Sequence, residues 1–364
     1  MTPGLHCSRR ELLAGLGSAV ALASARRAAA QPMPPAGSIT DVGGLRVGHF
    51  TDPRRPTGCT AILFDRPVAA GADYDGSAPG ETLGVMLQPV SPLEHIHGIL
   101  LTGGGPMALG ATAGVVRYLE ERQVGYDWGV PNVRIPIVVG AVIDDLAIGD
   151  GRIRVGPDEA YKACEAASAS AVAEGSVGAG AGATVGKMFV GRGMRGMKGG
   201  VGTASARLGD VVIGALVVVN AAGDIVDWRR GVIVAGARTR DGRDFARSVD
   251  VLRRDLERRT TAQALADDPL RATTLVVVAT NVRLGKTALT KLAMMVNTGA
   301  ARAINPYHTQ GDGDQVLAVS TGAVDAGVPL TALGAVGAEV VADAIVRAVH
   351  SATGLPDWPA VRDL

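Results

Sequence analysis

A stretch crowded with Arg, Asp and Glu, residues 238–271, runs directly into Thr273-Thr274-Leu275-Val276-Val277-Val278-Ala279-Thr280. The second run, β-branched and aliphatic, reads as an apolar strand. The first reads as a solvated helix plus linker. Few folds place a charged connector immediately before a core strand, and this strand opens on two hydroxyl residues. A chain that cuts its own backbone would place the cut at such a boundary. Breaking the Ala272–Thr273 bond would give Thr273 a free α-amine beside its own hydroxyl, and that pair is a catalytic unit. β-branched propensity alone also brings threonine to strand starts, so the reading depends on the rest of the chain.

The N-terminus reads as an export signal. Ser8-Arg9-Arg10-Glu11-Leu12-Leu13 carries paired arginines, an apolar run follows from Leu12 to Ala25, and Ala28-Ala29-Ala30 offers a small-residue cleavage site. This order predicts a twin-arginine signal peptide over residues 1–30 and a periplasmic address. The apolar run is too short and too broken by glycine for a stable membrane anchor. With aromatics at 3% and a net charge of +1, no basic-aromatic surface for nucleic acid is expected. Small aliphatic residues suit closely packed layers of sheet and helix. Cys59 and Cys164 are the cysteines of the mature chain, too few for a disulfide framework or a metal site, and read as buried thiols.

Beyond a Pro-rich spacer at 31–37, strands are predicted at Ile39–Val47, Thr60–Phe64, Gly98–Thr102 and Ile135–Val142 (a central strand). Further strands are predicted at Gly199–Leu208, Val211–Asn220, Thr274–Thr280 and Gln315–Thr321. Helices are expected at Ala108–Glu121, Pro157–Glu174, Lys286–Val296 and Ala335–Ala352. Gly209-Asp210 joins two strands as a hairpin. Hairpins and separate helix blocks predict an α+β sandwich of antiparallel sheets with helices packed outside.

Gly178-Ala179-Gly180-Ala181-Gly182-Ala183-Thr184-Val185-Gly186-Lys187 invites a phosphate-loop reading that fails. Ala181 stands where the loop needs glycine, and Met188 stands where magnesium needs a hydroxyl. The glycines instead allow close backbone approach that delivers Lys187 into a cleft. Asn220 ends a strand, either as a turn residue or as an amide donor aimed at an oxyanion. Gly311-Asp312-Gly313-Asp314 sets two carboxylates before a strand; no further acids follow at calcium-loop spacing. His308 lies nearby without Ser/His/Asp spacing and reads as structural. His95 and His97 lack nearby third ligands for zinc. No cofactor or metal is expected.

Taken together and in order, these motifs resemble a family of self-processing N-terminal-nucleophile hydrolases. The family comprises L-aminopeptidase/D-esterases, β-peptidyl aminopeptidases and nylon-oligomer (6-aminohexanoate oligomer) endohydrolases. The resemblance runs through Ile39–Val42, Leu45–His49, Gly98–Gly105, Tyr118–Glu121, Ala181–Lys187, Gly199–Gly209, Val217–Asp227, Thr273–Leu284 and Asp312–Thr321. It implies a four-layer α/β/β/α sandwich made as a precursor that cuts itself before a Ser or Thr. The larger subunit would be residues 31–272, with its charged linker at 238–272, and the smaller 273–364; cleaved pairs would assemble as a homo-oligomer. Carried over, Thr273 is the nucleophile, Lys187 and Asn220 line its site, and Asp312 and Asp314 complete it. Thr273 and the Asp-Gly-Asp pattern are more similar to the nylon-oligomer branch; aminopeptidase members tend to have Ser at 273 and 312 and Glu at 314. Ala272 stands where Asn or Gly is common, and Gly105-Pro106-Met107-Ala108 replaces Ser-Ala-Phe-Gly.

The expected substrates are small peptides, amino-acid amides or ω-amino-acid oligomers. An acyltransferase of the ornithine-acetyltransferase kind shares the layout and also cuts before Thr. A non-catalytic periplasmic binding protein that kept the fold would show no cut and no turnover.

Overall fold

Strands buried on both faces set the architecture. The computed structural model describes residues 37–258, 272–325 and 327–364. Among them, nine strands form one sheet: β1 (Leu45–Thr51), β2 (Gly58–Asp73), β3 (Glu81–Thr82), β4 (His95–Thr102), β5 (Val138–Val142), β6 (Gly200–Leu208), β7 (Val211–Asn220), β8 (Thr273–Val282) and β9 (Gln315–Val324). Their order is β3-β5-β4-β2-β9-β8-β7-β6, with β1 also paired to β2. The helices used below are α1 (Thr112–Glu120), α2 (Pro157–Glu165), α3 (Ser248–Arg258), α4 (Lys286–Ala303) and α5 (Leu330–Ser351). The expected signal peptide, most of the spacer and residues 259–271 of the linker lie outside the described residues.

Strand β2 turns one sheet into two layers. Its first half pairs with β1 and β4, its second half with β9, and the register with β4 breaks between Leu63 and Val68. Pro67, which has no N–H for a ladder, sits in that break with exposed Asp65 and Arg66. The two halves of the sheet then face each other. Ile62, Ile99, Leu101 and Val139 from one half share a buried cluster with Leu216, Val218, Leu275, Val277 and Leu317 from the other. On the outer face of the second half, Val217, Val276, Val278 and Val316 pack on Leu289, Leu292 and Val296 of α4 and Val341 and Ile345 of α5. On the outer face of the first half, Ala61, Leu63 and Leu100 pack on Val115 and Leu119 of α1 and on Ala160 and Cys164 of α2. The result is the expected α/β/β/α order of layers.

The all-antiparallel expectation is corrected at two places. β4 runs parallel to β5, and β8 runs parallel to β9. Each parallel pair is joined across a helix, α1 or α4, which is what a parallel return requires. Several boundaries also differ: β2 runs on to Asp73, α4 to Ala303, and α5 begins at Leu330. Residues Ile39–Asp41 form a 3₁₀ turn capped by Ser38, not a strand. Helix α2 stops at Glu165, because Ser168 turns back to exchange backbone bonds with Val47. β5 begins only at Val138 and lies one strand from the edge, inside the two-residue β3. Cys59 and Cys164 are free and buried, and burial pushes both thiols up, Cys164 to about 12.

Candidate active site

Three strand ends meet at one place because of the mixed sheet. β8 and β9 are parallel neighbours, so their N-termini lie together; β7 is antiparallel to β8, so its C-terminus joins them. Thr273, the first residue of β8, is therefore registered opposite Asn220, the last of β7. The Asp312-Gly313-Asp314 turn that leads into β9 runs alongside Ala272. Lys187 arrives from the loop that joins the two strands of a short ribbon, Thr184–Val185 and Met197–Lys198. Glycines let this segment lie against the core as expected: a Cβ on Gly180 would sit 2.4 Å from the Val201 nitrogen, and one on Gly182 would sit 2.4 Å from the Pro56 carbonyl oxygen.

All five residues singled out from sequence are brought together, with roles that geometry refines. Thr273 is buried, and its Oγ1 donates to the Ala272 carbonyl at 2.6 Å. The same carbonyl accepts from the Gly313 N–H at 3.0 Å. Lys187 Nζ donates to Asn220 Oδ1 at 2.5 Å and to Thr184 Oγ1 at 3.3 Å. Asn220 Oδ1 also accepts from the Thr184 N–H at 3.0 Å, while Nδ2 donates to the Asp144 carbonyl at 3.2 Å. Asn220 thus holds the lysine, and its amide nitrogen is engaged by Asp144 in this arrangement instead of standing as an oxyanion donor.

The two aspartates divide their work. Asp314 Oδ1 accepts from the Thr274 N–H at 2.6 Å, and Oδ2 accepts from the His308 N–H at 3.3 Å. Asp312 Oδ2 accepts from the N–H and hydroxyl of Thr309 at 2.8 and 2.6 Å. Asp312 Oδ1 is buried without a hydrogen-bond partner. Burial, and then repulsion from Asp314, raise the Asp312 carboxyl to about 6, opposed by the Thr309 donors and the Lys187 charge. Of the two carboxylates proposed as counter-charges for Lys187, Asp312 is the one with an uncommitted oxygen.

Several supporting residues carry no motif. Gly313 is required by space: a Cβ there would lie 2.8 Å from Thr273 Oγ1 and 2.5 Å from the Ala78 carbonyl oxygen. Gly76 and Ala78 brace the turn by donating to the Asp314 and Asp312 carbonyls at 3.1 and 3.0 Å. Behind the glycine loop, Asp145 pairs with buried Arg55 and accepts from Thr57 Oγ1 and from the Gly104 N–H. That cluster fixes the backbone whose Asp144 carbonyl meets Asn220. In the sequence only the Gly103-Gly104-Gly105 run stood near it. Ala272 packs with Phe189, Ala222 and Val251 of α3, so the charged helix is buried along one side and sits against the junction. Among the described residues, no cluster of three or more metal-ligating side chains occurs.

A family model described as Peptidase family S58 matches residues 37–358. An uncharacterized aminopeptidase of Mycobacterium tuberculosis is 38% identical over 357 residues, covering 90% of this chain and 97% of the relative. A 6-aminohexanoate-oligomer endohydrolase of Paenarthrobacter ureafaciens is 32% identical over 324 residues, covering 85% and 84%. Among solved structures, a β-aminopeptidase of a Burkholderia species superposes with a TM-score of 0.63 at 24% identity, covering 90% of each chain. An L-aminopeptidase D-Ala-esterase/amidase of Ochrobactrum anthropi, described as a variant of the Ntn hydrolase fold, gives 0.62 at 24%, covering 88% of this chain and 89% of its own.

Proposed function

The chain belongs to peptidase family S58 and is a peptide or amide hydrolase, and from that premise we propose that it cuts its own Ala272–Thr273 bond and then works through Thr273. The observation that carries this reading is the double grip on the Ala272 carbonyl, by the Thr273 hydroxyl and by the Gly313 N–H. Thr273 Oγ adds to the carbonyl carbon while the Gly313 N–H steadies the developing oxyanion, a donor worth about 3–4 kcal/mol in comparable sites. The C–N bond breaks as the hydroxyl proton passes to the departing nitrogen, and an ester remains. Water hydrolyses it, leaving the Ala272 carboxylate, the Thr273 hydroxyl and a free α-amine.

That amine is the base of the mature enzyme. A free α-amine titrates near pH 7.7–8.0 (roughly, for model peptides), and the Lys187 ammonium nearby would lower this further. It takes the hydroxyl proton as Thr273 attacks a substrate amide; the acyl group moves to Oγ, the amine product leaves with a proton, and water frees the acid. Asn220 orients Lys187, Asp312 supplies the opposing charge, and Asp314 fixes the first turn of backbone in β8. The Gly313 N–H, freed from the Ala272 carbonyl, takes over as donor to the substrate oxyanion. Small peptides, amino-acid amides and ω-amino-acid oligomers are the substrate classes we propose, acted on in the periplasm after export through the signal at residues 1–30.

Denaturing electrophoresis with intact mass measurement tests the reading. Wild type gives two bands, the smaller starting at Thr273, and Thr273→Ala gives one. A wild-type enzyme that hydrolyses amides while remaining a single uncut chain overturns it.

A further inference from the structure

His308, read from the sequence as a structural histidine, stands at the head of a partly buried polar chain behind Asp314. Its backbone adopts a left-handed conformation, φ 53°, uncommon for a residue with a Cβ. That conformation wraps the residue around one carboxylate oxygen: the His308 N–H donates to Asp314 Oδ2 at 3.3 Å, and ring Nδ1, buried and without a hydrogen bond of good geometry, lies 3.3 Å from the same oxygen. On the other side of the ring, Nε2 lies 3.1 Å from Nδ2 of Asn297 on α4. Asn297 Nδ2 also donates to Asp73 Oδ2 at 2.9 Å, and Asn297 Oδ1 accepts the Tyr307 hydroxyl at 2.9 Å. The Tyr307 ring lies tilted against the imidazole, 3.9 Å between centroids.

The hydrogen-bond inventory of this chain leaves one arrangement. Tyr307 is half-buried, and desolvation pushes its hydroxyl well above its ordinary range, so it is a neutral donor and occupies the Asn297 oxygen. Reversing the amide would set that oxygen 2.9 Å from the Asp73 carboxylate, acceptor against acceptor. The Asn297 NH₂ must therefore face both Asp73 and His308. A nitrogen that accepts from it carries no proton, so the proton of the neutral ring sits on Nδ1, toward Asp314.

We propose that His308 is a positioning residue, locked as the Nδ1–H tautomer by Asn297, which holds the Asp314 carboxylate in place and through it the Thr274 N–H and the Thr273 hydroxyl. This rests on the reading of Thr273 as the nucleophile. Asp314, Asp73 and Asp75 all act on the ring electrostatically. Burial opposes its charging, but these carboxylates win and raise its pKa. At acid pH the ring therefore gains a proton at Nε2, which then meets the Asn297 NH₂ donor against donor. The Asn297 lock belongs to the neutral ring, whereas the Nδ1–H faces Asp314 in the neutral and the charged ring alike.

The test has a spectroscopic arm and a kinetic arm. With ¹⁵N-histidine in the full-length Thr273→Ala chain at about pH 9, well above the ordinary histidine value of about 6.5, the His308 signal is assigned by its loss in His308→Asn. A protonated Nδ1 and a bare Nε2 support the lock; a protonated Nε2 overturns it. In the Thr273 chain, Asn297→Asp replaces the donor by an acceptor that favours Nε2–H. It should slow self-cleavage about tenfold or more at neutral and alkaline pH, with a smaller loss in acid, where the charged ring regains its Nδ1–H. His308→Asn, whose side chain tolerates the left-handed backbone, should slow cleavage by a similar factor at every pH. Wild-type rates and profiles in both variants overturn the proposal. A wild-type chain that is never cut sinks the reading of Thr273 instead, and the tautomer measurement still decides the lock.

Discussion

At the scale of single residues, the site concentrates charge where burial disfavours it. Asp312 carries the clearest consequence. Its carboxyl is raised to about 6 in the fold, by burial first and by Asp314 second. Between the ordinary aspartate value of about 3.9 and about 6, the folded chain binds a proton that the unfolded chain has released. Stability therefore falls as pH rises through that window. Thermal melts of Thr273→Ala should lose stability between about pH 4 and pH 6.5 relative to Thr273→Ala with Asp312→Asn. Parallel curves for the two would show that Asp312 is not the strained carboxylate. This cost is the expected mark of a group kept for chemistry rather than for stability.

At the scale of elements, the loop that delivers Lys187 has only the three-residue 3₁₀ turn Val190–Arg192 as regular structure of its own to hold it. A second lysine does that work. Lys198, fully buried on the short ribbon, donates to the carbonyls of Gly180, Ala183 and Gly199 at 2.8, 2.8 and 3.1 Å. Burial lowers its ammonium to about 7, Asp145 opposing and Lys187 adding to the shift. Between about 7 and the unfolded value near 10.4, the unfolded chain holds the extra proton, so stability attributable to Lys198 rises with pH. Lys198→Met should lose that rise: the gap between wild-type and variant melting temperatures widens from about pH 7 to pH 9.5. The variant also leaves buried carbonyls short of a donor, at about 1–3 kcal/mol each, and its self-cleavage should be slower. A gap independent of pH would refute the assignment.

At the scale of the whole molecule, the proposed cut falls inside the sheet and not between bodies. β8, which follows the cut, pairs with β7 along Thr273–Thr280, and β9 pairs with the second half of β2. Residues from both sides of position 272 share the core under α4 and α5 and the core between the sheet halves. The two fragments should therefore co-migrate on native gel filtration and separate only in denaturant. Fragments that part under native conditions would contradict this topology.

The positions and types of most elements, though not their lengths, were legible because they are local. β8 announced itself through Leu275–Ala279, and the β6–β7 hairpin through Gly209-Asp210, since periodicity and turn chemistry involve only neighbours in sequence. The same locality explains the misreadings. Nothing within Leu275–Ala279 says whether β9 returns parallel or antiparallel, and nothing within residues 39–47 reveals that Ser38 caps a turn there. Thr273, Lys187, Asn220, Asp312 and Asp314 were named because their motifs are ordered as in a known family. His308 was named as structural and Gly313 stood unremarked inside the Asp-Gly-Asp pattern, while Asn297 and the Arg55–Asp145 pair were missed, being a helix asparagine and a pair 90 positions apart.

By itself, then, the sequence determined the strands, the helices and a hydroxyl at the edge of a charged segment. Only the tertiary structure decided that the Ala272 carbonyl lies between the Thr273 hydroxyl and the Gly313 N–H. That placement depends on β8 and β9 running parallel beside antiparallel β7. Strand direction is set by the packing of helices between distant segments, a long-range choice that no short stretch of chain encodes.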